Sequence, residues 1–221
     1  MNNPMASSLS NKLASILLAW WKENKEWYPF RATSDPYRIL VSEILLRKTR
    51  ANQVAAVYHD FFEKFPNPCA VMNSTPEDVA DIIKPLGLVS RADHIFAISK
   101  ILCEQRDGEV PSTEKGLKAL PGVGEYIANV VLTMGFNNPK PMVDSNVKRV
   151  LSRIIGIEPN SREASRQVWN TYDEILPKEG YRDFHFAIID LAHQLCIPLN
   201  PLCFKCPVNT LCHFFQLKMR I

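Results

Sequence analysis

The chain has 221 residues, 46% of them hydrophobic, enough to bury a core as one large domain or as two small ones sharing a cleft. Its 26 Lys and Arg against 23 Asp and Glu leave a net charge of only +3, so composition alone does not announce a polyanion-binding protein, and nucleic-acid contact has to be argued locally. No stretch approaches the roughly 18 uninterrupted apolar residues of a membrane span, and the start, MNNPMASSLSNK, has no charged segment followed by an apolar core, so a cytoplasmic protein with no membrane partner is expected.

Along the chain, apolar residues recur at helical spacing: Leu13, Ile16, Leu17 and Trp20; Ile39, Leu40, Ile44 and Leu45; Val54, Val57, Phe61 and Phe62; Ile95, Ile98, Ile101 and Leu102. Strand-like alternation is almost absent, and an all-α fold of roughly ten short helices follows. Breakers separate the runs, among them Pro29, Pro36, Pro66, Pro68, Pro76, Pro85, Pro111, Pro139, Pro141 and Pro159. Asp35-Pro36 and Ser74-Thr75-Pro76-Glu77 each place a capping side chain before a proline at the first helical position. Trp20, Trp21, Trp27, Tyr28 and Phe30 near the start read as packing residues, and Cys69 and Cys103, each amid helical apolar spacing, read as core.

In the run Asp35-Pro36-Tyr37-Arg38-Ile39-Leu40-Val41-Ser42-Glu43-Ile44-Leu45-Leu46-Arg47-Lys48-Thr49, Glu43 shares a face with Leu40 and Ile44. A carboxylate there is costly to bury, which points to a pocket wall rather than a core position. Leu120-Pro121-Gly122-Val123-Gly124 lies between two helical patterns, and its glycines permit a turn whose N–H groups, with the start of the following helix EYIANVVLTMGF, would hold a phosphate. An ordinary helix connection is the plainer alternative. Then comes Pro141-Met142-Val143-Asp144-Ser145-Asn146-Val147-Lys148-Arg149-Val150, in which Asp144 stands at a helix start, as an N-cap or, on a DNA substrate, as a charge that stabilises a cationic sugar. Lys148, Arg149 and Arg153 follow on that helix, facing either DNA or solvent.

Six cysteines in a reducing compartment do not read as a disulfide framework, and four crowd into the last 26 residues. Cys196, Cys203, Cys206 and Cys212 are spaced C-x6-C-x2-C-x5-C with Pro198, Pro201 and Pro207 between them, a segment able to close around one metal centre. Four thiolates suit either tetrahedral zinc or a [4Fe–4S] cluster. His185, His193 and His213 lie nearby but lack ligand spacing.

LPGVGEYIANVV followed by VDSNVKRVLSR and the cysteine tail resembles the helix-hairpin-helix base-excision DNA glycosylases of the endonuclease III superfamily, over almost the whole chain. The resemblance implies two helical lobes with a DNA-binding cleft between them: residues 30–140 as a six-helix lobe holding the hairpin, and residues 1–29 with 141–221 as the second, carrying a [4Fe–4S] loop at 196–212. It places phosphate gripping on Leu120, Pro121, Gly122, Val123 and Gly124, the essential carboxylate at Asp144, and the cluster on the four tail cysteines. Bifunctional members resemble L-P-G-V-G-x-K-T-A, whose lysine attacks the sugar; here Tyr126 takes that place, so base removal without strand nicking is expected.

The stretch around Glu43 is similar to that shared by MutY-type adenine and Mig-type mismatch thymine glycosylases, which makes Glu43 the proton donor to the departing base or the orienter of water. Arg47 and Lys48 stand where adenine glycosylases carry glutamines, and would fill the gap left by the base or bond the orphaned guanine. Tyr126 is likewise a Mig-type residue, and the few residues after Cys212 leave no expectation of the extra domain by which MutY-type enzymes recognise oxidised guanine. The reading is a monomeric monofunctional glycosylase acting on double-stranded DNA with thymine or uracil opposite guanine. An adenine glycosylase is the runner-up, and a non-catalytic DNA-binding protein with a structural metal is the alternative of another class.

Overall fold

The structure is a computed structural model that describes residues 4–87, 89–158 and 162–219; the breaker at Pro159 lies outside the described residues. Helices account for all the regular structure among these residues: α1 Pro4–Asn24, α2 Pro29–Ala32, α3 Pro36–Leu46, α4 Ala51–Lys64, α5 Pro68–Met72, α6 Pro76–Ile83, α7 Arg91–Arg106, α8 Glu114–Lys118, α9 Glu125–Phe136, α10 Ser145–Ile155, α11 Arg162–Ile175, α12 Tyr181–Gln194 and α13 His213–Lys218, with 3-10 turns at Lys84–Leu86, Cys203–Lys205 and Asn209–Leu211. No described helix is long and apolar enough to cross a membrane.

The prolines that punctuate the sequence open helices rather than merely ending them. Pro29, Pro36, Pro68 and Pro76 each begin one, where the missing N–H costs nothing. Asp35 accepts from the N–H groups of Tyr37 and Arg38 at 2.8 and 3.3 Å, and Thr75 and Asp78 form a reciprocal capping box at the head of α6.

The chain divides into two compact units, Trp27–Pro139 and Met1–Glu26 with Lys140–Ile221. In the first, α3 packs on α9, and α5 and α6 on α7. Phe61, Phe62, Phe65, Tyr58 and Tyr37 make an edge-to-face cluster with ring centroids 4.8 to 5.8 Å apart, each pair adding about 0.5–1.5 kcal/mol beyond its burial. Gly135 lets α3 and α9 approach, since a Cβ there would stand 3.1 Å from Pro36.

In the second unit, α1 and α10 pack on α11 and α12 through Leu17, Val147, Leu151, Tyr172 and Phe184. Two buried polar groups are satisfied inside this core: Asp190 accepts from Trp21 Nε1 at 2.8 Å and from the Glu26 N–H at 3.1 Å, and the Tyr172 hydroxyl lies 3.0 Å from His185 Nδ1.

Two sequence expectations are corrected. Cys69 on α5 and Cys103 on α7 are not core thiols but a disulfide, half-buried at the edge of the α5–α7 contact with Cα atoms 5.2 Å apart; a pairing across 34 residues is a tertiary fact that local spacing does not display. Trp27 is 73% exposed rather than packed, because it falls in the connection between α1 and α2, and Trp20 and Trp21 are only half-buried.

Candidate functional site

The hairpin joins α8 to α9. Leu120 and Val123 are buried and anchor it, while Gly122 between them and Gly124 after them are exposed. Gly122 sits at φ +72°, a left-handed conformation in which a side chain is strained. Gly124 is the N-cap of α9 at φ −90°, and a Cβ there would meet nothing within 4 Å. Its missing side chain is therefore not demanded by the chain's own packing, and it leaves open space in front of the first turn of α9, which no N-cap side chain closes. Tyr126 is half-buried on that turn.

In the same unit, Arg47 ends α3 and its Nη1 donates to the Gly122 carbonyl at 3.3 Å, tying the end of α3 to the hairpin turn. Arg47, Lys48, Arg91, His94 and Gly122 line a cavity of about 180 Å³. Glu43 is half-buried one turn earlier on α3, between the buried Leu40 and Ile44.

In the other unit, Asp144 caps α10. Its Oδ1 accepts from the Val147 N–H at 2.7 Å and its Oδ2 from Asn146 Nδ2 at 2.9 Å, so both oxygens are held at the positive end of the helix. Asp144 also acts on its surroundings, for the Tyr172 hydroxyl is pushed above its ordinary range by burial first and by the aspartate's charge second.

Asn146 continues the arrangement toward the cysteines. Arg149 Nη2 donates to Asn146 Oδ1 at 3.1 Å and to the Ala192 carbonyl at 3.1 Å, while its Nε donates to the Cys196 carbonyl at 2.9 Å. Arg153 donates to the carbonyls of Ile197 and Pro198, each at 2.8 Å, and to Cys196 Sγ at 3.4 Å. The carbonyls left over where α12 ends are thus taken by two guanidinium groups of α10. The expectation that Arg149 and Arg153 face DNA or solvent is corrected accordingly, and Lys148 turns to Ser165 Oγ at 2.9 Å.

Cys196, Cys203, Cys206 and Cys212 line one pocket together with Leu195, Phe214 and Phe215, and Arg153 stacks over Phe214 at 5.1 Å. Burial pushes the Cys206 thiol up to about 12, with the other three cysteines adding to the shift against a backbone N–H of Val208. Cys212 is raised for the same first reason. Among the described residues, donor atoms of Glu26, Asp190 and His193 also lie within 4.8 Å of one another, away from the cysteine pocket's lining.

Sequence reasoning missed Arg91, Asn146 and Asp190. Arg91 has partners more than forty residues away, which no local pattern marks. Asn146 and Asp190 left a signal: an Asx residue just inside a capped helix, and an acid on the apolar face of Ala187 and Leu191, the same sign that drew attention to Glu43.

An all-helical chain with a glycine hairpin, a capped aspartate at the next helix and a four-cysteine loop is the build of a helix-hairpin-helix protein, and residues 41–174 match the family described as HhH-GPD superfamily base excision DNA repair protein. The chain belongs to that superfamily. It is 36% identical over 204 residues to a thymine-DNA glycosylase of Aeropyrum pernix, covering 86% of this chain and 92% of that one. A thymine/uracil-DNA glycosylase of Pyrobaculum aerophilum is 33% identical, with 95% of this chain and 94% of that one covered. The solved structure of a thermostable thymine-DNA glycosylase superposes with a TM-score of 0.89 at 31% identity, covering 95% of this chain and 98% of the other.

Proposed function

We propose that this chain is a monofunctional DNA glycosylase that removes thymine or uracil opposite guanine from double-stranded DNA and leaves an abasic site. The observation that carries it is the Asp144 carboxylate, fixed at the head of α10 by Val147 and Asn146, in a chain of this superfamily whose relatives include thymine and uracil glycosylases.

The reaction adds water across the N-glycosidic bond. As that bond breaks, the base leaves with the electron pair and takes up a proton, and positive charge develops at the sugar; a preorganised carboxylate lowers the energy of that charge more than it does that of the ground state. Asp144 plays this part. Glu43, half-buried on α3, delivers the proton or orients the water. Tyr126 offers no amine at the position of the lysine that would attack the sugar, which supports release of the base with the strand intact. The open space before Gly124 and the uncapped start of α9 suit a DNA phosphate, and Arg47 and Lys48 suit the acceptor edge of guanine.

The four cysteines fit a [4Fe–4S] cluster better than zinc. Their C-x6-C-x2-C-x5-C spacing has one C-x2-C knuckle, where a zinc ribbon usually has two. The pocket is apolar and supplies an N–H from Arg153 to Cys196 Sγ. When bound, the cluster cross-links four points of the loop. A brown protein carrying about four irons per chain supports this, and a colourless, zinc-replete one refutes it.

The test is base release from duplexes carrying T·G, U·G, A·G and A opposite oxidised guanine, by the wild type and by Asp144→Asn. Asparagine caps a helix as well as aspartate does, so the variant is expected to keep its fold and its DNA binding while losing release by at least about a hundredfold. Release by the variant at the wild-type rate overturns the assignment, and preferential release of adenine overturns the substrate.

A further inference from the structure

Lys48 adopts a left-handed backbone, φ +57°, which a lysine takes up only when its surroundings enforce it. It lies in the turn that follows α3, where the Thr49 N–H returns to the Leu46 carbonyl at 3.2 Å. Arg91, the first residue of α7, is only 7% exposed and spans this turn. Its Nη1 donates to the Leu45 carbonyl at 2.8 Å and to Thr49 Oγ1 at 2.7 Å, and its Nη2 donates to the Arg47 carbonyl.

Those acceptors stand before, within and after the Arg47–Lys48 pair, and only a planar fork reaches all of them at once. They are also all neutral, so the guanidinium is buried without a carboxylate and is stable there only while the turn keeps its shape. Its charge lines the same cavity as Arg47, Lys48, His94 and Gly122, and Arg47 is tied across it to the hairpin. The result is a rigid, cationic, donor-rich wall, suited to a base edge with two acceptors.

We propose that Arg91 is a positioning residue that locks the 46–49 turn, so that Arg47 and Lys48 meet the guanine left opposite the released base, and that it thereby sets the preference for that opposite base. This rests on the glycosylase reading above, and the experiment separates the two. Wild type, Arg91→Lys, Arg91→Met and Arg47→Ala are compared in amide exchange of residues 46–50 and in affinity for duplexes holding a non-hydrolysable abasic analogue opposite guanine or adenine.

Arg91→Met is expected to raise exchange at Arg47, Lys48 and Thr49 at least tenfold and to reduce the guanine-over-adenine affinity ratio at least fivefold, to the level of Arg47→Ala. Arg91→Lys, which keeps the charge but not the fork, falls between, and it carries the test alone if Arg91→Met does not fold. Unchanged exchange, an unchanged ratio, an equal loss of affinity for both duplexes, or no guanine preference in the wild type each overturns the proposal. Failure of the wild type to release any base defeats the glycosylase reading instead, while exchange and the two affinities still decide the role of Arg91.

Discussion

Asp144 holds a structural place that is compatible with the chemistry proposed for it. Its Oδ1 caps α10 through the Val147 N–H and its Oδ2 accepts from Asn146, whose own Oδ1 accepts from Arg149, while Arg149 Nε donates to the Cys196 carbonyl. Arg149→Met is therefore expected to leave the Cys196 and Ala192 carbonyls and Asn146 without that donor, at a cost of about 2–4 kcal/mol, and to slow base release as well. Thermal melting and single-turnover rates check this; an unchanged rate in a destabilised variant would confine Arg149 to holding the cysteine loop. At this scale the sequence was legible where geometry rests on a local pattern, as in the left-handed turn at Gly122, the capping of α10 by Asp144 and the gathering of the four cysteines round one pocket. It was silent on Arg91 and misleading on Arg149 and Arg153, because a side chain's partners across the fold are set by packing and not by its neighbours in the chain.

Among the elements, α10 and α13 meet most tightly at Gly156. Gly156 ends α10 at φ +76°, and a Cβ there would stand 2.4 Å from His213 Nδ1 and 2.6 Å from its Cγ, at the first residue of α13 and next to Cys212. Gly180, at φ +69°, has nothing within 4 Å. Gly180→Ala should then cost only the left-handed strain, about 1 kcal/mol, and Gly156→Ala should cost roughly 1–3 kcal/mol more, since the His213 ring and α13 have to move. Melting of both variants tests this, and equal losses would show that the His213 contact carries no weight. Helix identity and the proline starts were readable because caps and apolar spacing are local. The close approaches at Gly135 and Gly156 were not, since a glycine's reason lies on the element that packs against it.

For the molecule as a whole, the Cys69–Cys103 bridge closes a loop across 34 residues within one compact unit. Loss of a loop constraint of that length costs about 4 kcal/mol, on the order of 10 °C in Tm for a chain of this size. The variant carrying Cys69→Ala and Cys103→Ala is expected to melt lower by that amount and to keep its activity. Alkylation of the denatured wild type without reductant should label Cys196, Cys203, Cys206 and Cys212 but neither Cys69 nor Cys103; labelling of all six would contradict the bridge. The most direct measurement of the central claim is a single-turnover reaction on a duplex with one U·G or T·G pair, its products separated with and without alkali. Base release with the strand intact until alkali is added is the expected result. Either an intact base after prolonged incubation or a strand cut before alkali would contradict it.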